Sequence, residues 1–235
     1  MIRIFAQWQD RVILSEDDRH HLVNVLRVKP GEKIELLMQG QVYAGEVQST
    51  QPLVINRLDQ IQSNHELPFS LNLIYPISKG DRFDWVIQKA TELGTDSVIV
   101  CTSERSVVKW DKADIEKKRI RYQRIIDEAT LQSKREKIMS FNAIHSLKDA
   151  LTLPFDIKFI ASEYHLGSSF NLPSAFRIKK GSSVALLVGA EGGFSEHEVT
   201  LAIKLGFKPL SLGPSILRTE TAVVTGLSIL REKGL

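Results

Sequence analysis

Cysteine is almost missing from this chain of 235 residues: Cys101 stands alone, so no disulfide can form within it, which suits a reducing cytoplasm. Histidine is sparse too. His20, His21, His65, His145, His165 and His197 form no HxxxH pair and have no cysteine companions, which argues against a structural zinc site. No apolar run approaches the roughly 20 residues needed to cross a bilayer. The opening MIRIFAQWQDR is too polar, and its apolar part too short, to read as a signal peptide. Neither a P-loop nor a GxGxxG fingerprint occurs, which discourages a nucleotide-sensing regulator. No internal repeat or low-complexity tract interrupts the chain. What remains is an ordinary globular composition, 43% apolar and 25% charged, enough for one large domain or two modest ones.

Net charge is only +3, but it is unevenly placed. Residues 1–70 carry 7 Lys/Arg against 9 Asp/Glu, and residues 109–137 carry 10 against 6, including KKRIRYQR at 117–124. That stretch fits a footprint for a polyanion. It also fits a solvated helix face, because its charges alternate with apolar residues at helical spacing.

Residues 1–70 read as mostly β. IRIFA is a short strand, 17–26 a short helix, Pro30-Gly31 a turn, and a hairpin is centred on Gly40, with PLVINRL as a further strand. So many short strands in so few residues predict a small barrel. The polar stretch 60–68, ending in proline, is the expected boundary. From 71 the pattern becomes strand–helix alternation. Strands are expected at 71–77, 97–102, 138–141, 156–162, 183–189 and 208–213, and helices at 81–93, 114–134, 146–152, 195–206 and 221–233. This predicts an α/β domain with a mostly parallel sheet.

The stretch LLVGAEGGFSEHEV, 186–199, ends an apolar strand in a glycine turn that opens a helix. Ser195 and Glu198 have capping-box spacing. Glu191, Glu196 and Glu198 make the turn a poor seat for phosphate, so a neutral or cationic ligand fits better. Gly192 and Gly193 also fit a plain sharp turn with no ligand. A second stretch, LSLGPSILRTETA at 210–222, is again a strand end, a glycine turn and a helix start. In parallel sheets, ligands sit outside such strand ends. The final helix is apolar on nearly every side, as in a deeply buried helix or a subunit interface.

These two stretches together resemble the cofactor loops of the SPOUT methyltransferases. The resemblance to the RsmE family, the bacterial 16S ribosomal RNA uracil-N3 methyltransferases, covers nearly the whole chain. KGDRFDWVIQKATELG at 79–94, SERSVVKW at 103–110 and EATLQSKR at 128–135 are similar to further family signatures. Leu131 departs from the last of these, and Met139, just beyond it, stands where the family often has a proline. HLVNVLRVKPGE at 21–32 resembles the family's PUA-like β-barrel. The resemblance implies a PUA-like RNA-binding barrel over residues 1–70 and, over 71–235, a SPOUT domain with a deep trefoil knot. It also implies S-adenosylmethionine as cofactor, no metal, a homodimer through the knot region and last helix, and the small ribosomal subunit as partner.

It further implies residue roles. Gly189, Glu191, Gly192, Gly193, Leu212, Gly213, Ile216, Leu217 and Thr221 are expected to line the cofactor. Arg218 is expected to stabilise negative charge developing on the uracil, with pairing to Glu220 or to a helix C-terminus as its plain structural alternative. Glu220 and Glu191 are candidates for the base, and Glu163 for a third knot loop. Arg27, Lys79, Arg82, Arg105, Arg124 and Arg135 are expected to meet RNA phosphates, the barrel and the basic helix 114–135 forming the platform. The rival readings are a SPOUT enzyme acting on a ribose 2′-hydroxyl or guanine N1, and a non-catalytic RNA-binding ribosome assembly factor.

Overall fold

The computed structural model describes residues 1–77, 81–106, 112–143, 146–162 and 172–234. The chain forms two compact units, Met1–Glu66 with Thr130–Ile138, and Leu67–Ala129 with Met139–Leu235. A boundary read along the sequence does not anticipate the return of 130–138 to the first unit. Lys79 and Glu163 lie outside the described residues.

The first unit is a four-stranded sheet in the order β1 (Arg3–Phe5), β4 (Lys33–Met38), β5 (Gln41–Thr50), β6 (Leu53–Ile61). A ribbon of β2 (Gln7–Trp8) and β3 (Val12–Ile13) accompanies it. The hairpin between β4 and β5 turns on Gln39 and Gly40, both at positive φ (50° and 75°), the backbone that matches a two-residue turn to strand twist. Helix α1 (Glu16–His20) runs on into a π-helical turn at His21–Val25 and buries Leu22 against Ile4, Ile34 and Leu36.

Residues 130–138 are fixed in this unit by charge. Arg3 Nε donates to Glu35 at 2.7 Å and its Nη1 to the carbonyl of Arg135 at 3.0 Å, while Lys134 Nζ reaches Glu35 at 3.0 Å. Arg135 Nη2 donates to Glu66 Oε2 at 3.0 Å, and Glu66 Oε1 accepts from the backbone of Glu136 and Lys137. Burial alone would raise the Glu66 carboxyl, but the hydrogen bonds and the Arg135 charge outweigh it and hold Glu66 below the usual 4.5. Glu35 is lowered in the same way by Lys134 and Arg3. A carboxyl lowered in the folded state adds stability above its unfolded value and loses it as pH falls through the folded value. The melting temperature is therefore expected to fall as pH drops below about 4.5, with amide exchange rising first in 130–138. Unchanged protection of 130–138 at acid pH would contradict this.

The second unit is a six-stranded sheet, parallel throughout. Its order is β12 (Lys208–Pro209), β10 (Ile157–Ala161), β11 (Ser183–Val188), β7 (Ser70–Pro76), β8 (Ser97–Cys101), β9 (Ser140–Ala143). Side-chain alternation gives it two apolar faces. Leu71, Leu73, Tyr75, Val184, Leu186 and Val188 face one way, under α2 (Asp81–Glu92), α3 (Lys112–Gln132) and α6 (Thr219–Lys233). Ile74, Ala185 and Leu187 face the other, under α4 (Leu147–Leu151) and α5 (Glu196–Lys204). A row of rings, Tyr75–Phe83–Tyr122–Phe141, with centroids 5.7, 4.9 and 5.2 Å apart, seats α2 and α3. Tyr122, Ile126 and Ala129 are the buried stripe of α3, while Lys117, Arg119, Arg121 and Arg124 are exposed. The last strand is shorter than its sequence predicts: after Pro209 only Leu210 N–H still bonds across, to Ile160, and the chain then leaves the sheet as a loop.

Candidate functional site

The chain lays down β7, β8 and β9 outward in one direction, then crosses to place β10 and β11 on the other side of β7. Such a reversal leaves a crevice at the strands' carboxyl ends. Both glycine stretches emerge there, one after β11 and one after β12.

The first is a tight turn closed by Gly193 N–H donating to the Ala190 carbonyl at 2.8 Å. Gly193 has φ +63°, in the left-handed region. Gly189 is packed: a Cβ there would lie 3.1 Å from Gly193 Cα. The capping box is complete, with Ser195 Oγ accepting from Glu198 N–H at 3.1 Å and Glu198 Oε2 accepting from Ser195 N–H at 2.9 Å. In the second stretch Gly213 has φ +113° with open space on its Cβ side, Leu212 and Leu217 are half-buried, and Ile216 is 85% exposed.

One side chain joins the two. The Thr219 hydroxyl donates to the Gly189 carbonyl, and its other partner is the buried Tyr75 hydroxyl at 3.1 Å. The first turn of α6 is thereby tied to the glycine turn and to the end of β7. Sequence reading missed both residues. The one available signal is a tyrosine inside the apolar run LNLIYPI, since a buried tyrosine needs a partner for its hydroxyl.

The structure brings Gly189, Glu191, Gly192 and Gly193 into one turn, and Leu212, Gly213, Ile216 and Leu217 into the loop that Thr219 anchors. Thr221 is exposed in the first turn of α6. Arg218 is the N-cap of α6, exposed, and makes no ion pair among the described residues. One structural alternative for Arg218, a bond to Glu220, is not formed. Glu220 is half-buried and its Oε2 is fully buried with no hydrogen-bond partner among the described residues. Glu191 is exposed, 3.6 Å from Arg82.

The residues expected to meet RNA are divided between the two units. Arg27 is exposed in the first unit; Arg82 and Arg124 are exposed in the second. Arg105 turns its Nη1 onto the Gly192 carbonyl at 3.0 Å. Arg135 is a correction. Its side chain is 1% exposed and paired with Glu66, so it is a staple of the first unit and cannot reach a phosphate. The lone thiol of Cys101 is buried and pushed up to about 12 by desolvation and by the Glu198 charge, which leaves it inert. Among the described residues no cluster could hold a metal, and no helix is long and apolar enough to cross a membrane.

Both units of the chain are matched by known proteins. Residues 65–231 match the RNA methyltransferase domain family, and residues 14–53 the RNA methyltransferase PUA domain family. The Bacillus subtilis ribosomal RNA small subunit methyltransferase E is 35% identical over 223 residues, covering 92% of this chain and 87% of the relative. The Neisseria gonorrhoeae ribosomal RNA small subunit methyltransferase E, solved bound to S-adenosyl methionine, superposes with a TM-score of 0.84 at 30% identity, over 98% of this chain and 97% of that one. A Legionella pneumophila structure solved with the cofactor S-adenosylmethionine gives 0.85 at 31%, again over 98% and 97%. With both units matched and the likeness running nearly end to end, this chain belongs to the ribosomal RNA small subunit methyltransferase E family of RNA methyltransferases.

Proposed function

We propose that the chain is the S-adenosylmethionine-dependent enzyme that methylates N3 of one uridine in 16S ribosomal RNA. Residues 71–235, apart from the 130–138 segment that belongs to the first unit, form the catalytic domain, its cofactor loops threaded as a trefoil knot. Residues 1–70 form a PUA-like barrel that helps hold RNA, and two copies pair through the knot region and α6 in the cytoplasm. The observation that carries this reading is an exposed Arg218 without an ion pair among the described residues, next in sequence to a helix turn that holds a buried Glu220 oxygen with no hydrogen-bond partner among them.

The residues present fit the cofactor. The Gly189–Gly193 backbone and the Leu212–Leu217 loop offer bare peptide and apolar surface, and the carboxylates of Glu191 and Glu220 suit a cation better than a phosphate. When bound, S-adenosylmethionine supplies an electrophilic methyl group on a positively charged sulfur. The protein's own work is to orient the uracil and manage its proton. The N3–H is a weak acid, so it must be lost as the nitrogen attacks. Glu220, two residues on from Arg218, is the carboxylate assigned to take that proton, and Arg218 stabilises the negative charge spreading over the ring. Arg27, Arg82 and Arg124, with Lys79, remain positions for phosphates, giving affinity that weakens steeply with salt.

Gly193→Val is expected to abolish cofactor binding, because a β-branched residue at φ +63° forces the turn open. Unchanged affinity by calorimetry would reduce Gly193 to a turn-former. The function itself is tested by transfer of labelled methyl to unmodified small subunits, with the product nucleoside identified. N3-methyluridine is the expected product. A 2′-O-methyl or N1-methylguanine product would move the target, and cofactor binding without transfer would support a binding factor.

A further inference from the structure

The segment after β8 carries none of the methyl-transfer chemistry assigned above, yet it is fastened to the glycine turn from two sides. Ser106 N–H donates to the Ser103 carbonyl at 3.0 Å and closes a β-turn with Glu104 and Arg105 at its centre. Glu104 N–H donates to Glu198 Oε1 at 2.8 Å, while Glu198 Oε2 takes the Ser195 N–H at 2.9 Å. The Glu198 residue is 5% exposed. The Glu104 carboxylate meets His197 Nδ1 at 3.1 Å. On the other side Arg105 Nη1 holds the Gly192 carbonyl, and a Cβ at Gly192 would lie 3.1 Å from Arg105 Cβ and 3.3 Å from its carbonyl oxygen.

A helix cap needs only one oxygen of its capping-box glutamate. The second oxygen of Glu198 is committed to another loop, and that commitment has no role in forming α5. Gly192 points the same way. Its φ lies outside the left-handed region, so what favours glycine there is the close approach of Arg105 and not the turn.

We infer that Glu198 is a positioning residue: its carboxylate clamps the Glu104–Arg105 turn against the strand-to-helix turn and so holds Gly192 and Gly193 in the shape that receives the cofactor. This rests on the reading of that turn as the S-adenosylmethionine site. Hydrogen bonds to a buried carboxylate are stronger than neutral ones, so losing one is expected to weaken cofactor binding about tenfold.

Three single variants of the full chain test it, each measured for S-adenosylmethionine Kd by calorimetry, kcat, KM for both substrates, and Tm. Glu104→Pro deletes the N–H that Glu198 accepts, at a turn position where proline is favoured, and leaves the capping box of α5 complete. Gly192→Ala removes no bond but pushes Arg105 away. Glu198→Gln keeps one acceptor oxygen. The first two are expected to raise Kd and KM for S-adenosylmethionine about tenfold, and the third about threefold, with kcat at saturation and KM for RNA within about twofold of the parent. A clamp that served only folding would lower Tm in Glu198→Gln and leave cofactor affinity untouched in Glu104→Pro and Gly192→Ala; that result overturns the inference. Should one variant fail to fold, the other two decide. A parent chain that binds no S-adenosylmethionine would instead overturn the reading of the site, and the clamp with it.

Discussion

Replacing Arg218 with alanine is expected to lower kcat about 10²–10³-fold while S-adenosylmethionine affinity stays within about twofold, the effect typical of removing one preorganised donor to a developing anion. The reasons lie in its surroundings. Arg218 is exposed at the N-cap of α6 with no ion pair among the described residues, so its loss removes no structural bond. The tie between the two loops runs through the neighbouring Thr219, which the variant leaves in place. Lysine at 218 should recover only part of the rate, since it keeps the charge but loses the planar fork. Equal losses of cofactor affinity and turnover would mean that Arg218 shapes the cofactor loop; full activity would remove it from the chemistry.

Replacing Arg135 with methionine is expected to cost about 3 kcal/mol of stability, because it leaves the partly buried Glu66 carboxylate without its cation. Burial would then lift the Glu66 carboxyl back up, so the loss should shrink as pH falls and Glu66 takes a proton. Urea unfolding at pH 7 and pH 5 reads both effects. Pairing the change with Glu66→Gln should return part of the loss. RNA affinity of the folded variant should match the parent. A variant as stable as the parent but weaker on RNA would reinstate Arg135 as a phosphate contact.

These two arginines show how far local reading of the sequence reaches and where it stops. Arg218 follows a glycine turn at a strand end and precedes a helix, and those are local facts. Arg135 also looked like one more charge in a basic stretch, but its role depends on Glu66, 69 positions away. Thr219 and Tyr75 are 144 positions apart, and nothing near either one announces the bond. Glu198 was legible as half of a capping box, because that pairing is three residues long; its second partner, Glu104, is 94 residues distant.

By itself the sequence determined the elements and their punctuation. Apolar periodicity marked the strands and helices, Gly40 the hairpin between β4 and β5, Ser195 the start of α5, and the two glycine stretches the turns that end their strands. Only the tertiary structure decided the strand order that inserts β11 between β10 and β7, the return of 130–138 to the first unit, and the burial that turned Arg135 from a surface charge into a staple. The physical reason is range. Propensity, capping and turn geometry act over a few residues, whereas sheet neighbours, buried ion pairs and the clamp on the glycine turn are contacts between distant segments, set by how the whole chain packs.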